Sequence, residues 1–223
     1  APAALTSSDI TDGIVTTAKI ADDAVDNTKL DLTSNYAFTG TVTGAGNLIK
    51  ISDATASSDA TISFTSGIDS TYDIYKFELI NIHGSNDDVH FMFQFDTGTN
   101  TNYNQTISST HFSAVHLHDG STNLNYATTL DSNQGTGFEI IATGTGNDND
   151  QSTNGEILLY NPASTTFQKY VVTRTVQDEY RSGAFMQQKS LVIDTTSAIT
   201  RVQFKMSVGN IDSGKIILYG VKT

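Results

Sequence analysis

Val89-His90-Phe91-Met92-Phe93-Gln94-Phe95 is the stretch that settles the fold class. Its aromatic residues fall on every second position, so Phe91, Phe93 and Phe95 share one face of an extended strand. The same beat returns near the C-terminus. Val202, Phe204, Met206 and Val208 alternate there with Gln203, Lys205 and Ser207. Between and around these two segments lie further strand candidates: Tyr72 to Ile82, Phe138 to Ala142, Glu156 to Tyr160, Phe167 to Val176, Phe185 to Ile193 and Lys215 to Val221. Clusters of Gly, Asn, Asp and Ser separate them, as turns require. No stretch longer than two turns combines helical spacing with caps, so a parallel α/β sheet has no crossover helices to use. The expectation is an all-β chain: an antiparallel β-sandwich, jelly-roll-like, over residues 50–223.

Composition agrees with this reading. The chain has 223 residues with 17 Gly against two Pro, and its 37% hydrophobic content suffices for a core at this length. Charged residues make up 16%, against roughly 25% in an ordinary soluble domain. No apolar run approaches the length of a membrane helix, so no membrane insertion is expected. The opening Ala1-Pro2-Ala3-Ala4-Leu5 does not read as a signal peptide. Without Cys there is no disulfide framework, thiolate metal site or thiol nucleophile. A net charge of −12 argues against nucleic acid, because phosphate binding needs clustered Lys and Arg.

That charge is unevenly spread: residues 1–50 carry −3, residues 51–168 carry −13, and residues 169–223 carry +4. Two readings fit. Neighbouring strands balance one another in the folded domain, or the acids form an outer surface that confers solubility or attracts cations.

The first thirty residues have a different order. Leu5, Ile10, Val15, Ile20, Val25 and Leu30 are apolar at every fifth position, with small or polar residues almost everywhere between. A period of five matches neither helix nor strand. One apolar residue in five cannot build a core within its own chain, since too little area leaves water to offset the ordering entropy. Several identical chains side by side could bring those six positions together as a thin oligomerisation spine. A linker and a short amphipathic helix over 17–25 are the competing readings. The division expected is a repeat stalk over 1–34, a junction over 35–49 and the head over 50–223.

Asp12-Gly13-Ile14-Val15-Thr16-Thr17-Ala18-Lys19-Ile20-Ala21-Asp22-Asp23-Ala24-Val25, followed by Tyr36-Ala37-Phe38-Thr39-Gly40-Thr41-Val42-Thr43-Gly44, resembles the shaft repeats of tailed-bacteriophage fibre proteins, especially those of marine and cyanobacterial phages. Ile199 to Met206, leading through Gly209 to Gly214 into Ile217 to Val221, is similar to a terminal β-domain of the same proteins. The resemblance covers about a third of the chain. It implies a virion structural protein on the tail or capsid surface, a homotrimer that joins other virion proteins through its N-terminal segment. It further implies a β-rich head that touches the host surface, with glycan the expected ligand. An architectural role as a capsid-associated fibre or decoration protein is the alternative.

Candidate chemistry is sparse. Tyr103, Asn104, Asn125, Tyr126 and Asp131 sit in polar stretches and supply the aromatic faces and planar hydrogen-bonding groups that hold sugars; capping of the sandwich edge by Tyr103 and Tyr126 is the competing reading. His116-Leu117-His118 puts two imidazoles on one face of a strand, with Asp119-Gly120 turning the chain directly after. The phage resemblance implies a transition metal held by such pairs on a trimer axis; a hairpin with two solvated His is the alternative. Asp148-Asn149-Asp150 opens an acidic loop with some likeness to a calcium site, but Thr153 and Leu159 break the EF-hand pattern. The stretch from Gly144 to Gly155 is the most polar in the chain and reads as an exposed tip. No enzyme is expected and no cofactor is required. The four Glu follow no motif, and no Gly-x-Ser-x-Gly elbow is present.

Overall fold

A computed structural model of the chain describes residues 47–222. The spine positions Leu5, Ile10, Val15, Ile20, Val25 and Leu30, and the junction up to residue 46, lie outside the described residues. Twelve strands follow: β1 (Leu48–Thr55), β2 (Ile62–Phe64), β3 (Ile74–Gly84), β4 (Val89–Thr97), β5 (Ile107–Leu117), β6 (Thr122–Tyr126), β7 (Glu139–Thr145), β8 (Thr153–Tyr160), β9 (Lys169–Asp178), β10 (Gly183–Ile193), β11 (Ile199–Met206) and β12 (Ile211–Val221). The described residues contain no α-helix, only a short 3-10 turn over Thr128–Leu130. No helix among them is long and apolar enough to cross a membrane.

All strand pairs are antiparallel. They form a large sheet in the order β1-β12-β3-β8-β9-β10-β5-β6 and a small sheet in the order β2-β11-β4-β7. The described residues form an all-β sandwich of these two sheets. Phe204 on β11 sits at the centre of the contact between them. Its ring lies 5.6 Å from Phe77 on β3, 5.8 Å from Phe91 and 6.2 Å from Phe93 on β4. Phe64 on β2 reaches Phe77 edge-on at 5.4 Å. The alternation quoted from Val89 to Phe95 is thus an inward face, with all three Phe fully buried.

Gln94 and Asp96 on the opposite face of β4 are buried as well. The neighbouring loops cover them: the Gln94 amide donates to the carbonyls of Gln105 and Gly137, and Asp96 Oδ2 accepts the Tyr103 N–H at 2.9 Å. Val208, by contrast, lies beyond β11 and is 60% exposed.

The eight long strand candidates all correspond to strands. β1, the short β2 with three residues, and the polar β5 and β6 are the elements that strand alternation of large apolar residues leaves unmarked. The β5–β6 connection does turn at Asp119-Gly120, where Gly120 adopts φ +87° and the Asp119 carboxylate accepts the Ser121 N–H.

The polar stretch from Gly144 to Gly155 is less exposed than its composition suggests. Only residues 147–150 form an open tip, while Gly146, Gln151 and Thr153 are buried. Gln151 donates to the Glu179 carbonyl and Thr153 to the Gln177 side chain, which ties both ends of the loop into the body of the head. Oppositely charged strands do lie together: Glu156 contacts Lys76 at 3.1 Å and Arg174 at 2.5 Å, and Lys215 approaches Asp53 at 3.6 Å.

Candidate functional site

The interior changes character along the large sheet. Beneath β1, β12, β3 and β8 it is apolar, with Ile216, Leu218, Phe77, Leu79, Ile157 and Leu159 facing in. Beneath β9, β10 and β5 the inward positions read Thr173, Thr175, Gln177, Gln187, Lys189, Ser109, His111 and Ser113, all buried. Such groups remain inside only when partnered. Lys189 donates to Glu139 of β7 at 2.6 Å and to the Leu130 carbonyl at 2.8 Å, and Ser109 Oγ donates to the same Glu139 carboxylate at 3.0 Å. Ser132 Oγ donates to its other oxygen. Gln187 accepts from the Thr143 N–H at 2.9 Å, and Thr175 donates to the Ile141 carbonyl.

His111 and Thr173 are the exceptions within this layer. Both ring nitrogens of His111, like Thr173 Oγ1, are buried without a hydrogen-bond partner. Burial and the neighbouring Lys189 ammonium push the His111 pKa down to about 4, against the opposing pull of Asp131 and Glu139, so the ring is neutral at pH 7.

At one end this polar layer opens into a cleft of about 380 Å³. Ser113 and Val115 of β5 and Asn123 and Asn125 of β6 form one side, because odd-numbered positions on these paired strands face inward. Asp88 and His90 at the start of β4, Thr143 and Gly144 at the end of β7, Phe185 of β10 and the Tyr180-Arg181 turn complete the lining. His90 Nδ1 is buried without a partner.

The turn between β9 and β10 is firmly held. Glu179, only 2% exposed, accepts from Arg181 Nε at 3.0 Å, from Arg181 Nη2 at 2.7 Å and from the Arg181 backbone N–H at 3.0 Å. This pairing raises the Arg181 pKa and sets its guanidinium 5.2 Å over the Tyr180 ring. The Asp178 carboxylate accepts the Gly183 N–H, and the Tyr180 N–H reaches the Gly144 carbonyl, which docks the turn against β7. The cleft therefore combines amide, hydroxyl, carboxylate and imidazole groups with two aromatic rings on a fixed backbone. That inventory suits a polyhydroxylated ligand held by several hydrogen bonds and an apolar ring face.

Of the residues singled out from sequence, Asn125 lines this cleft. Tyr126, its neighbour, faces the other side of the sheet, pairs in register with Phe112 and packs on it at 5.1 Å between ring centroids. Asp131 accepts the His111 backbone N–H at 2.7 Å and raises the Tyr126 phenol pKa through a hydrogen bond, so it braces β5 and β6. Tyr103 is buried in the β4–β5 connection with φ +46° and offers no ring face to a ligand, while Asn104 beside it is exposed. His116 is the second-last residue of β5 and His118 lies just past the strand, both exposed. Among the described residues no group of three or more His, Asp or Glu side chains is placed to hold a metal ion.

Sequence reasoning missed the Glu179-Tyr180-Arg181 turn and the Asp88–His90 wall. The available signal was the polar inward register of β9, Lys169-x-Val171-x-Thr173-x-Thr175-x-Gln177, which is too hydrophilic for an ordinary core strand. Comparison with known proteins finds no family model, no curated protein and no solved structure that matches this chain.

Proposed function

We propose that the chain is a virion fibre or spike protein whose β-sandwich head attaches to host-surface glycan through the cleft between β5–β6 and the Tyr180-Arg181 turn. The observation that carries this reading is the cleft itself, where the Asn123 and Asn125 amides share a solvent-open cavity with Tyr180 and Phe185. Sugars take such sites through bidentate amide contacts and an apolar ring face, and the buried Glu179 clamp keeps the turn in place without a ligand. The strand wiring supports the architecture. β1, β2, β3, β4, β7, β8, β11 and β12 follow a jelly-roll order, with the β5–β6 and β9–β10 hairpins added to the large sheet. The five-residue repeat supports a stalk that gathers three chains along Leu5, Ile10, Val15, Ile20, Val25 and Leu30.

The test is competition. Purified full-length protein should block adsorption of the particle to its host, and the Asn123→Ala/Asn125→Ala variant should not. A second reading, a decoration protein with an architectural role on the capsid, draws support from the exposed apolar side chains on the outer face of β9, β10, β5 and β6. It predicts antibody labelling across the capsid surface and no effect of free protein on adsorption.

A further inference from the structure

The large sheet has two faces, and its outer one is divided. Over β3 and β8 it carries charge: Lys76, Glu78 and Glu156, with Arg174 of β9 completing the ladder at the boundary. Over β9, β10, β5 and β6 the charge stops. Strand register lays Val176, Met186, Ala114 and Leu124 side by side in one row across these four strands. The adjacent row reads Arg174, Gln188, Phe112 and Tyr126. Beyond them Tyr170, Val172, Ser190, Val192, Ser108 and Thr110 line a shallow, mostly apolar depression. Leu124 is 83% exposed and Phe112 53%.

Within these four strands the one acidic side chain is Asp178, at one end, whose carboxylate accepts the Gly183 N–H; Asp194 follows β10 at the other end, where it accepts from the Gln168 amide. Yet the chain as a whole carries −12. Contiguous exposed apolar surface combined with local depletion of charge is the signature of a contact surface.

We infer that the outer face of β9-β10-β5-β6 is where heads of this chain pack on one another, the occupant being a second copy. The charge pattern selects that partner. Two copies of a strongly acidic chain repel unless they meet through surfaces that carry few acids, whereas a basic partner would be drawn to the acidic surfaces elsewhere. The four strands hold 10, 11, 11 and 5 residues, and at about 3.3 Å rise and about 4.8 Å spacing they give a flat footprint on the order of 600 Å² per copy. That reaches the lower end of specific interfaces. The inference is independent of the cleft and its ligand, which lie on the other face of the same strands.

The absence of Cys makes a direct test available. A single thiol is introduced into the full-length chain by Gln188→Cys, at the centre of the face, and in a control by Ser66→Cys on the exposed loop after β2. Maleimide labelling rates and light-scattering masses are read at micromolar concentration. The expected result is a mass that is a multiple of 23.9 kDa, with labelling at position 188 at least about tenfold slower than at position 66. Adding Leu124→Asp and Met186→Glu, at two exposed positions, should restore the fast rate at 188 even where residues 1–34 still hold the chains together. A melting temperature matching the parent shows that this variant remains folded. Equal rates at 188 and 66 would overturn the inference. So would slow labelling at a mass of 23.9 kDa, which would place a segment of the same chain, and not a second copy, on the face.

Discussion

Glu139 of β7 and Lys189 of β10 meet at 2.6 Å with both side chains almost wholly buried, at 2% and 1% exposed, and they bolt the small sheet to the polar half of the large one. The pair is a conditional stabiliser. Removing one partner leaves the other charge buried and unpaired, a loss of about 3–5 kcal/mol, while replacing both by neutral groups of similar size costs far less. Urea unfolding of Lys189→Met, Glu139→Gln and the double variant should therefore show a double loss smaller than the sum of the single ones. Strict additivity would mean that the two side chains do not depend on each other.

His111, directly opposite Lys189 in the β5–β10 register, makes stability depend on pH. Its folded pKa of about 4 lies below the ordinary histidine value of 6.5. The unfolded chain takes up a proton between these values while the folded chain refuses it. Stability from this group is complete above pH 6.5 and falls as pH drops from 6.5 to 4, by on the order of 3 kcal/mol in total. The Asp131 and Glu139 carboxylates facing the ring moderate the fall, and the Lys189 ammonium deepens it. Denaturation midpoints measured across that window should flatten in His111→Gln relative to the parent.

Phe204 touches four other rings from both sheets, Phe64, Phe77, Phe91 and Phe93. Truncation by Phe204→Ala removes the central contact of the sandwich and should lower stability by about 3–5 kcal/mol. Phe167→Ala, at a side chain 63% exposed, should change it by less than about 0.5 kcal/mol.

Gly214 lies at a register slip between β12 and β3, with φ +113°. A Cβ there would fall 2.5 Å from the Asn81 carbonyl oxygen and 2.8 Å from Ile82 Cα, both backbone atoms that cannot rotate away. Gly214→Ala should thus cost about 2–3 kcal/mol, through strain and contact together. Gly137→Ala, where a Cβ meets nothing within 4 Å, is the matched control.

The apolar half of the fold was legible because its strands obey a single rule, large apolar residues on alternate positions. Phe91, Phe93 and Phe95, or Val202, Phe204 and Met206, identify their own inward face. The polar half follows a different rule. Ser109 on β5 and Gln187 and Lys189 on β10 are buried too, but their burial is earned by partners such as Glu139 and Thr143 that stand thirty or more residues away. Local periodicity carries no information about such distant partners. The cleft was half legible for the same reason. Asn125 belongs to a hairpin whose Asp119-Gly120 turn can be read directly, whereas Tyr180 and Arg181 reach the site only because Glu179 turns inward beneath them.

The binding role of the cleft is tested most directly by placing full-length protein on an array of neutral and N-acetylated oligosaccharides, beside Asn123→Ala/Asn125→Ala. Both asparagines are exposed, so the variant should keep the parent's melting temperature. The account predicts saturable binding of at least one sugar by the parent, weakened about tenfold or more in the variant as two ligand hydrogen bonds are lost. Equal binding by both proteins would contradict it, as would a parent that retains no sugar at all.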